Sequence, residues 1–413
     1  MKPWTYRIVK TLAFVVAGLG IVGLAAVGYV LVAWDRPVAR PAREMQAPRD
    51  PQTVARGEDL YQRGTLCWTC HGSAGTPDMR EPQAGGRPFD LSAIGPGFGK
   101  VWSPNLTSDR ETGVGAVSDA LLVRAIREGI DHRGNVIIPV MAYQFYHGLS
   151  DADALAIVAY LRTLEPVRNV VPPRQPSFVA KALIAFGMVA PEAPVTAPSE
   201  SPAPGPTPEF GRYLAWHASG CAECHTPRFP SNGQLDRSRL MGGALFTIHE
   251  AGFTTTAPNL TPDPRTGLGN WTEAQFVTAL RTGTRPDGTV MLPFMPWPVY
   301  ATWSDEDLHA VWLYLRSVPA VEHETPASVV TDAVPGEPPG AGIFAAYCAV
   351  CHGDHGRGSA LTTLVLADEM SSFDDDTLST IIQEGAPGSA MPAFDKTLTR
   401  DQVRDVIAYL RGK

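Results

Sequence analysis

The sequence predicts a mostly α-helical protein: one membrane-spanning helix at the N-terminus, followed by three small helical domains in series. Three observations carry this expectation. Residues 11–34 contain no charged side chain, and about 20 apolar residues are enough to cross a bilayer as a helix. Apolar residues recur at helical spacing in runs such as 121–127 and 155–164, whereas alternating strand patterns are scarce. A Cys-x-x-Cys-His motif occurs three times, beginning at Cys67, Cys221 and Cys348. A chain of 413 residues, 44% apolar, is long enough for two or three separate cores. Its 39 glycines and 38 prolines place much of the backbone in turns and irregular loops, which suits domains wrapped around a bound group.

The N-terminal run comes first. Lys2, Arg7 and Lys10 precede it, so a cleaved signal peptide is the alternative reading. The run is longer than the roughly 7–15 residues of a secretory apolar region. It therefore reads as an uncleaved single-pass anchor over 11–34, with residues 1–10 on the cytoplasmic side. Arg36, Arg40, Arg43 and Arg49 balance the basic residues across the span, so flanking charge does not set the orientation. The net charge of −8 and the lack of any long Lys/Arg run exclude a nucleic-acid partner, whose phosphates require clustered cations.

All six cysteines fall in the three motifs: Cys67, Cys70 and His71; Cys221, Cys224 and His225; Cys348, Cys351 and His352. This is a covalent haem-attachment signature. Two thiols one helical turn apart can reach the vinyl groups at one porphyrin edge, and the histidine that follows then lies beneath the iron as proximal ligand. A structural zinc site needs four ligands from two nearby pairs, whereas these pairs lie 154 and 127 residues apart (221−67 and 348−221). A disulfide or redox dithiol leaves the thrice-repeated histidine unexplained. Three covalent haem c groups are the expectation.

An internal repeat identifies the second axial ligands. A shift of 154 places His71 on His225, Asn105-Leu106-Thr107 on Asn259-Leu260-Thr261, Gly129 on Gly283, Met141 on Met295, and Tyr160-Leu161-Arg162 on Tyr314-Leu315-Arg316. The step from haem histidine to repeated methionine is 70 residues in both copies (141−71 and 295−225). A thioether stabilises ferrous iron, and each methionine follows a proline by two residues, on a loop that can fold across the open face of the haem. Ser150 and Ser304 then open a helix. The third copy is shorter and lacks Asn-Leu-Thr; Met391, 39 residues after His352 (391−352), is favoured over Met370 because 18 residues separate it from Tyr409 (409−391), against 19 in the repeats (160−141, 314−295). Met79, Met188, Met241 and Met291 read as core filler, Met291 being the nearest competitor as a ligand. His132, His147, His217, His249, His309, His323 and His355 recur at no shared position and read as surface or hydrogen-bonding residues.

These features divide the chain into domains at 51–166, 209–320 and 340–413. A Pro-rich linker at 167–208 and a shorter one at 321–339 join them. Within the first linker, residues 178–189 are apolar apart from Lys181, and read as a short helix packed on a neighbouring domain or lying on the bilayer surface.

The two repeats resemble the triheme cytochrome c subunits of membrane-bound alcohol, aldehyde and gluconate dehydrogenases over about residues 51–320. The likeness rests on Gly211-Arg212-Tyr213-Leu214, Cys224-His225-Thr226-Pro227-Arg228, residues 258–263 (Pro-Asn-Leu-Thr-Pro-Asp) and Leu292-Pro293-Phe294-Met295. The third domain resembles small monohaem class I cytochromes c. The resemblance implies three cytochrome c domains, with His71, His225 and His352 proximal and Met141, Met295 and Met391 distal. It also implies electrons arriving from a periplasmic dehydrogenase subunit and leaving to quinone, a terminal oxidase or another respiratory complex. It further implies haem attachment on the outer face of the bacterial cytoplasmic membrane, so that the domains lie in the periplasm. An electron-transfer subunit without catalytic residues is the expectation. A haem peroxidase or small-molecule oxidase, with one methionine displaced, is the alternative. Residues 1–10 are too few for the signalling domain a redox sensor would need.

Overall fold

The computed structural model describes residues 3–72, 79, 81–91, 98–228, 235–244, 248–250, 252–331, 334, 336–359, 361–362, 366 and 370–412. Helix α1 (Pro3–Ala33) contains the apolar span Val9–Ala33, 25 residues long and with almost nothing packed around it. A lone apolar helix of this length fits a membrane anchor or a signal sequence. The rest is mainly helical, as expected.

Each repeat is built the same way. In the first, α2 (Pro51–Asp59) starts at Asp50, whose carboxylate accepts from the Thr53 amide, and runs into a π turn at Leu60–Gly64. The attachment turn α3 (Trp68–His71), α4 (Asp119–Glu128), α5 (Tyr143–Tyr146) and α6 (Asp151–Leu161) follow. In the second repeat, α8 (Pro208–Tyr213), a π turn at Leu214–Ala218, α9 (Cys221–His225), α10 (Glu273–Thr282), α11 (Trp297–Tyr300) and α12 (Asp305–Ser317) reproduce the series. Between them lies α7 (Phe178–Ala185). Ser150 and Ser304 cap α6 and α12 by accepting from the Asp153 and Asp307 amides, which satisfies donors that would otherwise be orphaned. Gly129 and Gly283 end α4 and α10 at φ 70°, where a side chain would also run into the Tyr143 and Trp297 rings.

The first and last helices of each repeat cross at a glycine. A Cβ on Gly57 would lie 1.8 Å from the Ala156 carbonyl oxygen, and one on Gly211 would lie 1.8 Å from that of Ala310. The two positions are 154 apart (211−57). Only a residue without a side chain lets the backbones come this close.

Two small antiparallel sheets are not apparent from the sequence. One is β1 (Pro88–Asp90), β2 (Gly99–Trp102) and β3 (Gln175–Pro176); the other is β4 (Ile248–Glu250), β5 (Phe253–Thr255) and β6 (Val329–Val330). Their strands are two to four residues long, too short to display a period of two, and β3 and β6 come from segments after the last helix of each repeat. Gly99 faces Pro176 as Phe253 faces Val330, again one repeat apart.

The two repeats share one hydrophobic core, and equivalent positions meet where they join. The equivalent positions Gly64 and Ala218 touch, a Cβ on Gly64 falling 2.3 Å from the Ala218 carbonyl oxygen. On one side the Trp303 indole donates to the Arg63 carbonyl at 3.0 Å. On the other, His217, the counterpart of Arg63, lies over Gly148 and donates from Nδ1 to the Phe145 carbonyl at 2.7 Å. The Tyr213 hydroxyl adds a bond to Asp153 Oδ2 at 2.7 Å.

The third unit has its own core of Ile343, Phe344, Met370, Phe394, Val403, Val406 and Ile407. It contains α13 (Ala341–Ile343), a π turn at Phe344–Cys348, α14 (Ala349–His352), α15 (Asp375–Glu384) and α16 (Arg400–Leu410), the last opened by a full Thr399/Gln402 capping box. It meets the second repeat where the Val290 amide donates to Thr397 Oγ1 and where Ala346 packs with Phe253 and Leu292.

Candidate haem sites

Each Cys-x-x-Cys-His motif sits on a tight turn next to a π turn, which ends before Cys67 and Cys221 in the first two units and includes Cys348 in the third. This widening recurs in all three units and is frequent at functional sites. In the first, the Cys70 and His71 amides both donate to the Cys67 carbonyl, at 3.2 and 3.0 Å. Both sulfurs therefore lie on one turn with the imidazole just beyond. No pair forms a disulfide. Burial pushes the thiols of Cys67, Cys224 and Cys348 up to about 12 and that of Cys351 to about 11. It raises those of Cys70 and Cys221 as well. Such thiols stay protonated, which is unlike the thiolate that a redox dithiol requires.

The histidines are held in one tautomer. His71 Nδ1 donates to the Pro104 carbonyl at 3.0 Å, and His225 Nδ1 to the Pro258 carbonyl at 2.8 Å. That leaves Nε2 bare for a metal, with a bond behind it that raises ligand basicity. Burial lowers the pKa of both rings and so favours the neutral form that can ligate. The carbonyls are themselves positioned by a buried asparagine. Asn259 Oδ1 accepts from the Thr261 amide and hydroxyl at 2.9 and 2.8 Å, while Nδ2 donates to Thr266 Oγ1 at 2.9 Å and to the Val321 carbonyl at 2.6 Å. Asn105 makes the same four contacts with Thr107, Thr112 and Val167. The repeat register marks these asparagines, but their role becomes visible only in the fold. The third unit lacks Asn-Leu-Thr, and among the described residues His352 Nδ1 has no partner.

One cavity of about 2200 Å³ runs through the first two units. Cys67, Cys70, His71 and Met141 line it, as do Cys221, Cys224, His225 and Met295. The first two proposed histidine–methionine pairs thus face the same space. Met291 lines it too, while its carbonyl accepts from the Trp297 indole at 3.2 Å. Tyr146 and Tyr300, one turn beyond the methionines, donate to the Thr65 and Ser219 carbonyls at 2.9 and 3.0 Å. They tie each methionine loop to the attachment turn. The third unit presents Ala346, Tyr347, Ala349 and Val350 to the cavity wall, whereas Cys348, Cys351, His352 and Met391 do not line it. Met391 is half-buried on its loop, and Met370 lies in the unit's core.

The other assignments separate. Met241 is fully buried and Met79 packs on the shared core, but Met188 is 64% exposed and is no core filler. The apolar segment that carries it stands outside the cores. Of the remaining histidines, His147 and His323 bond to the Arg127 and Gly242 carbonyls, His309 to Glu273 and His355 to the Tyr409 hydroxyl. His132 lines the cavity, and the His249 side chain lies outside the described residues. Among the described residues no cluster of three or more His, Cys, Asp or Glu could hold an ion, so a four-ligand zinc site has no ligand set.

Comparison with known proteins gives a consistent result. The cytochrome c family model matches residues 54–165, and the model for cytochrome c oxidase, cbb3-type, subunit III matches residues 337–410. The gluconate 2-dehydrogenase cytochrome c subunit of Pantoea cypripedii is 30% identical over 391 residues, covering 87% of this chain and 85% of that protein. The cytochrome c subunit of the quinone-dependent alcohol dehydrogenase of Gluconacetobacter polyoxogenes is 29% identical, with 88% and 80% covered. The fructose dehydrogenase cytochrome subunit of Gluconobacter japonicus is 28% identical, with 80% and 70% covered.

Proposed function

Since this chain belongs to the family of dehydrogenase cytochrome c subunits, whose domains bind haem c covalently, we propose that it carries three such haems. In this reading it relays electrons from a dehydrogenase subunit to a respiratory acceptor, be it quinone, an oxidase or another cytochrome. Its task is electron transfer rather than bond-making catalysis. The observation that supports the haem count best is the shared cavity. About 2200 Å³ exceeds the roughly 300–1,000 Å³ of a single-ligand pocket, and two complete attachment turns line it. The third motif supplies the third site.

The haem provides a one-electron iron centre, and the residues set its properties. Cys67 and Cys70, Cys221 and Cys224, and Cys348 and Cys351 tether the three groups. His71, His225 and His352 would each supply one protein ligand to an iron, and Met141, Met295 and Met391 the second. A thioether favours ferrous iron and raises the potential, and a methionine-capped iron leaves no position for substrate. Helix α1 spans the bacterial cytoplasmic membrane once, with residues 1–10 inside and the haem units in the periplasm. That would keep the relay near membrane partners at high effective concentration.

A pyridine haemochrome spectrum against protein mass tests the count, and two haems per chain would overturn it. Met141→Ala, Met295→Ala and Met391→Ala should each lower one potential and admit carbon monoxide to one iron. If Met291→Ala did this and Met295→Ala did not, the ligand set would be wrong. Protease accessibility of the haem units in spheroplasts tests the side, and protection from outside would refute it.

A further inference from the structure

We propose that residues 178–189 form a second membrane-binding element, a foot that inserts into the outer leaflet of the phospholipid bilayer beside α1; the proposal rests on the reading that α1 is a retained anchor. The segment is a hairpin-like excursion rooted at both ends in the first repeat. At its start, β3 pairs with β2, and Ser177 caps α7 by accepting from the Ala180 amide. At its end, the Glu192 amide donates to the Glu128 carbonyl at 3.0 Å, and Arg40 donates to the Glu192 carbonyl at 2.6 Å. Gly187, at φ 71° with nothing within 4 Å, turns the chain at the tip.

Helix α7 is apolar on both faces. It buries Ala180 and Ile184, one turn apart; Phe178 and Val179 on the helix and Phe186 and Met188 just beyond it are between 47% and 64% exposed. Soluble surfaces rarely gather large apolar side chains in this way, and such a patch marks an interaction site. The contacts with α1 identify its partner. The Phe186 ring packs 5.6 Å from that of Tyr29, whose hydroxyl donates to the Ala185 carbonyl at 3.2 Å. Lys181 Nζ lies 4.8 Å above the Trp34 ring. Helix α7 therefore runs antiparallel to α1, with its tip level with Tyr29 and its middle level with Trp34. Five residues (34−29) at 1.5 Å each put the tip about 7.5 Å deeper than Trp34. This falls within the roughly 5–10 Å to which interfacial helices sink their apolar faces.

The polar residues lie at the matching height. Besides Lys181, the Arg174 guanidinium lies over the Trp34 ring, 4.9 Å from its centroid. Aromatic rings and cations are the groups that settle at the headgroup level. Val27, Tyr29, Leu31 and Val32, in the part of α1 where α7 packs, are exposed and apolar as well. A bilayer that receives α1 must therefore receive the foot as well.

The test uses the full haem-loaded chain in phosphatidylethanolamine/phosphatidylglycerol vesicles, with a spin label on a single added cysteine. Met188→Cys reports the foot, Leu19→Cys the anchor, and Val329→Cys, exposed in the second repeat, the aqueous phase. The label at 188 should be several-fold less accessible to a water-soluble nickel chelate than the label at 329, and more accessible to oxygen. If 19 is shielded but 188 is as open to nickel as 329, the foot is wrong and the anchor stands. If the mature chain begins after residue 34, the anchor reading fails. The foot is then decided by 188 and by a Phe186→Glu, Met188→Glu double variant with unchanged haem content. Several-fold weaker vesicle binding supports the foot, and unchanged binding overturns it.

Discussion

Replacing Gly211 by alanine sets two effects of opposite sign against each other. Alanine in a helix is favoured over glycine by about 0.5–1 kcal/mol, because it loses less backbone freedom on folding. Against this, the new Cβ would lie 1.8 Å from the Ala310 carbonyl oxygen, whereas real contacts begin near 3.0 Å. Helices α8 and α12 would have to part by at least 1.2 Å (3.0−1.8). Overpacking costs about 1–3 kcal/mol, and a backbone neighbour that cannot change rotamer pushes the cost to the upper end. The net expectation is a loss of about 2 kcal/mol. The Trp216–Tyr314 hydrogen bond, 2.6 Å and buried beside the crossing, should weaken with it. Gly57→Ala should behave alike in the first repeat, while Gly20→Ala, with nothing within 4 Å, should not destabilise. Guanidinium denaturation of the detergent-purified haem protein measures the difference. If Gly211→Ala stays within about 0.5 kcal/mol of the parent, the range of an ordinary surface change, the close-crossing account is wrong.

Three further outcomes are expected. Asn259→Ala leaves the Thr261 amide without its buried partner and the Val321 carbonyl with only the longer bond from the Thr261 hydroxyl, at 3.3 Å. It should destabilise the second repeat by about 1–3 kcal/mol or more and broaden the spectrum of its haem, whereas an unchanged denaturation midpoint would refute the network. His217 is held neutral chiefly by burial, which lowers its pKa below 6.5 despite the bond to the Phe145 carbonyl. An unfolded chain takes up that proton first, so this contribution is present above pH 6.5 and is lost as pH falls through the lowered value. Stability at pH 5.5 relative to 7.5 should drop more in the parent than in His217→Leu, and equal slopes would count against it. Asp109 and Asp263 are held below 3.8, first by the Thr112 and Thr266 amides. Their contribution is present above that pH and disappears in stronger acid, so Asp263→Asn should flatten the acid limb of the denaturation curve.

Local chemistry was legible in the sequence, and long-range geometry was not. The attachment turns, the helix caps at Ser150, Ser304 and Thr399, and the methionine register are set by residues a few positions apart or by a fixed repeat interval. The role of Gly57 and Gly211 has no local signature, because the carbonyls they approach are 99 residues away (156−57, 310−211). His217 recurs at no shared position, and its partner Phe145 lies 72 residues earlier. The strands escaped notice because they are too short to alternate and because the third member of each sheet arrives from beyond the last helix of its repeat. Met188 read as filler because type alone favours the core for methionine, and only placement shows it exposed.

The contact between Gly64 and Ala218 also limits how such a chain can grow. A contact between equivalent positions consumes the same patch on both members, so the joined pair is closed and offers that patch to no third copy. A further unit must attach elsewhere, as the C-terminal one does on the surface around Val290 and Leu292. An isolated first repeat would carry its patch unspent. It would not simply pair with a copy of itself, because Leu149, Arg63 and Asp59 stand where the second repeat brings Trp303, His217 and Tyr213 to the junction.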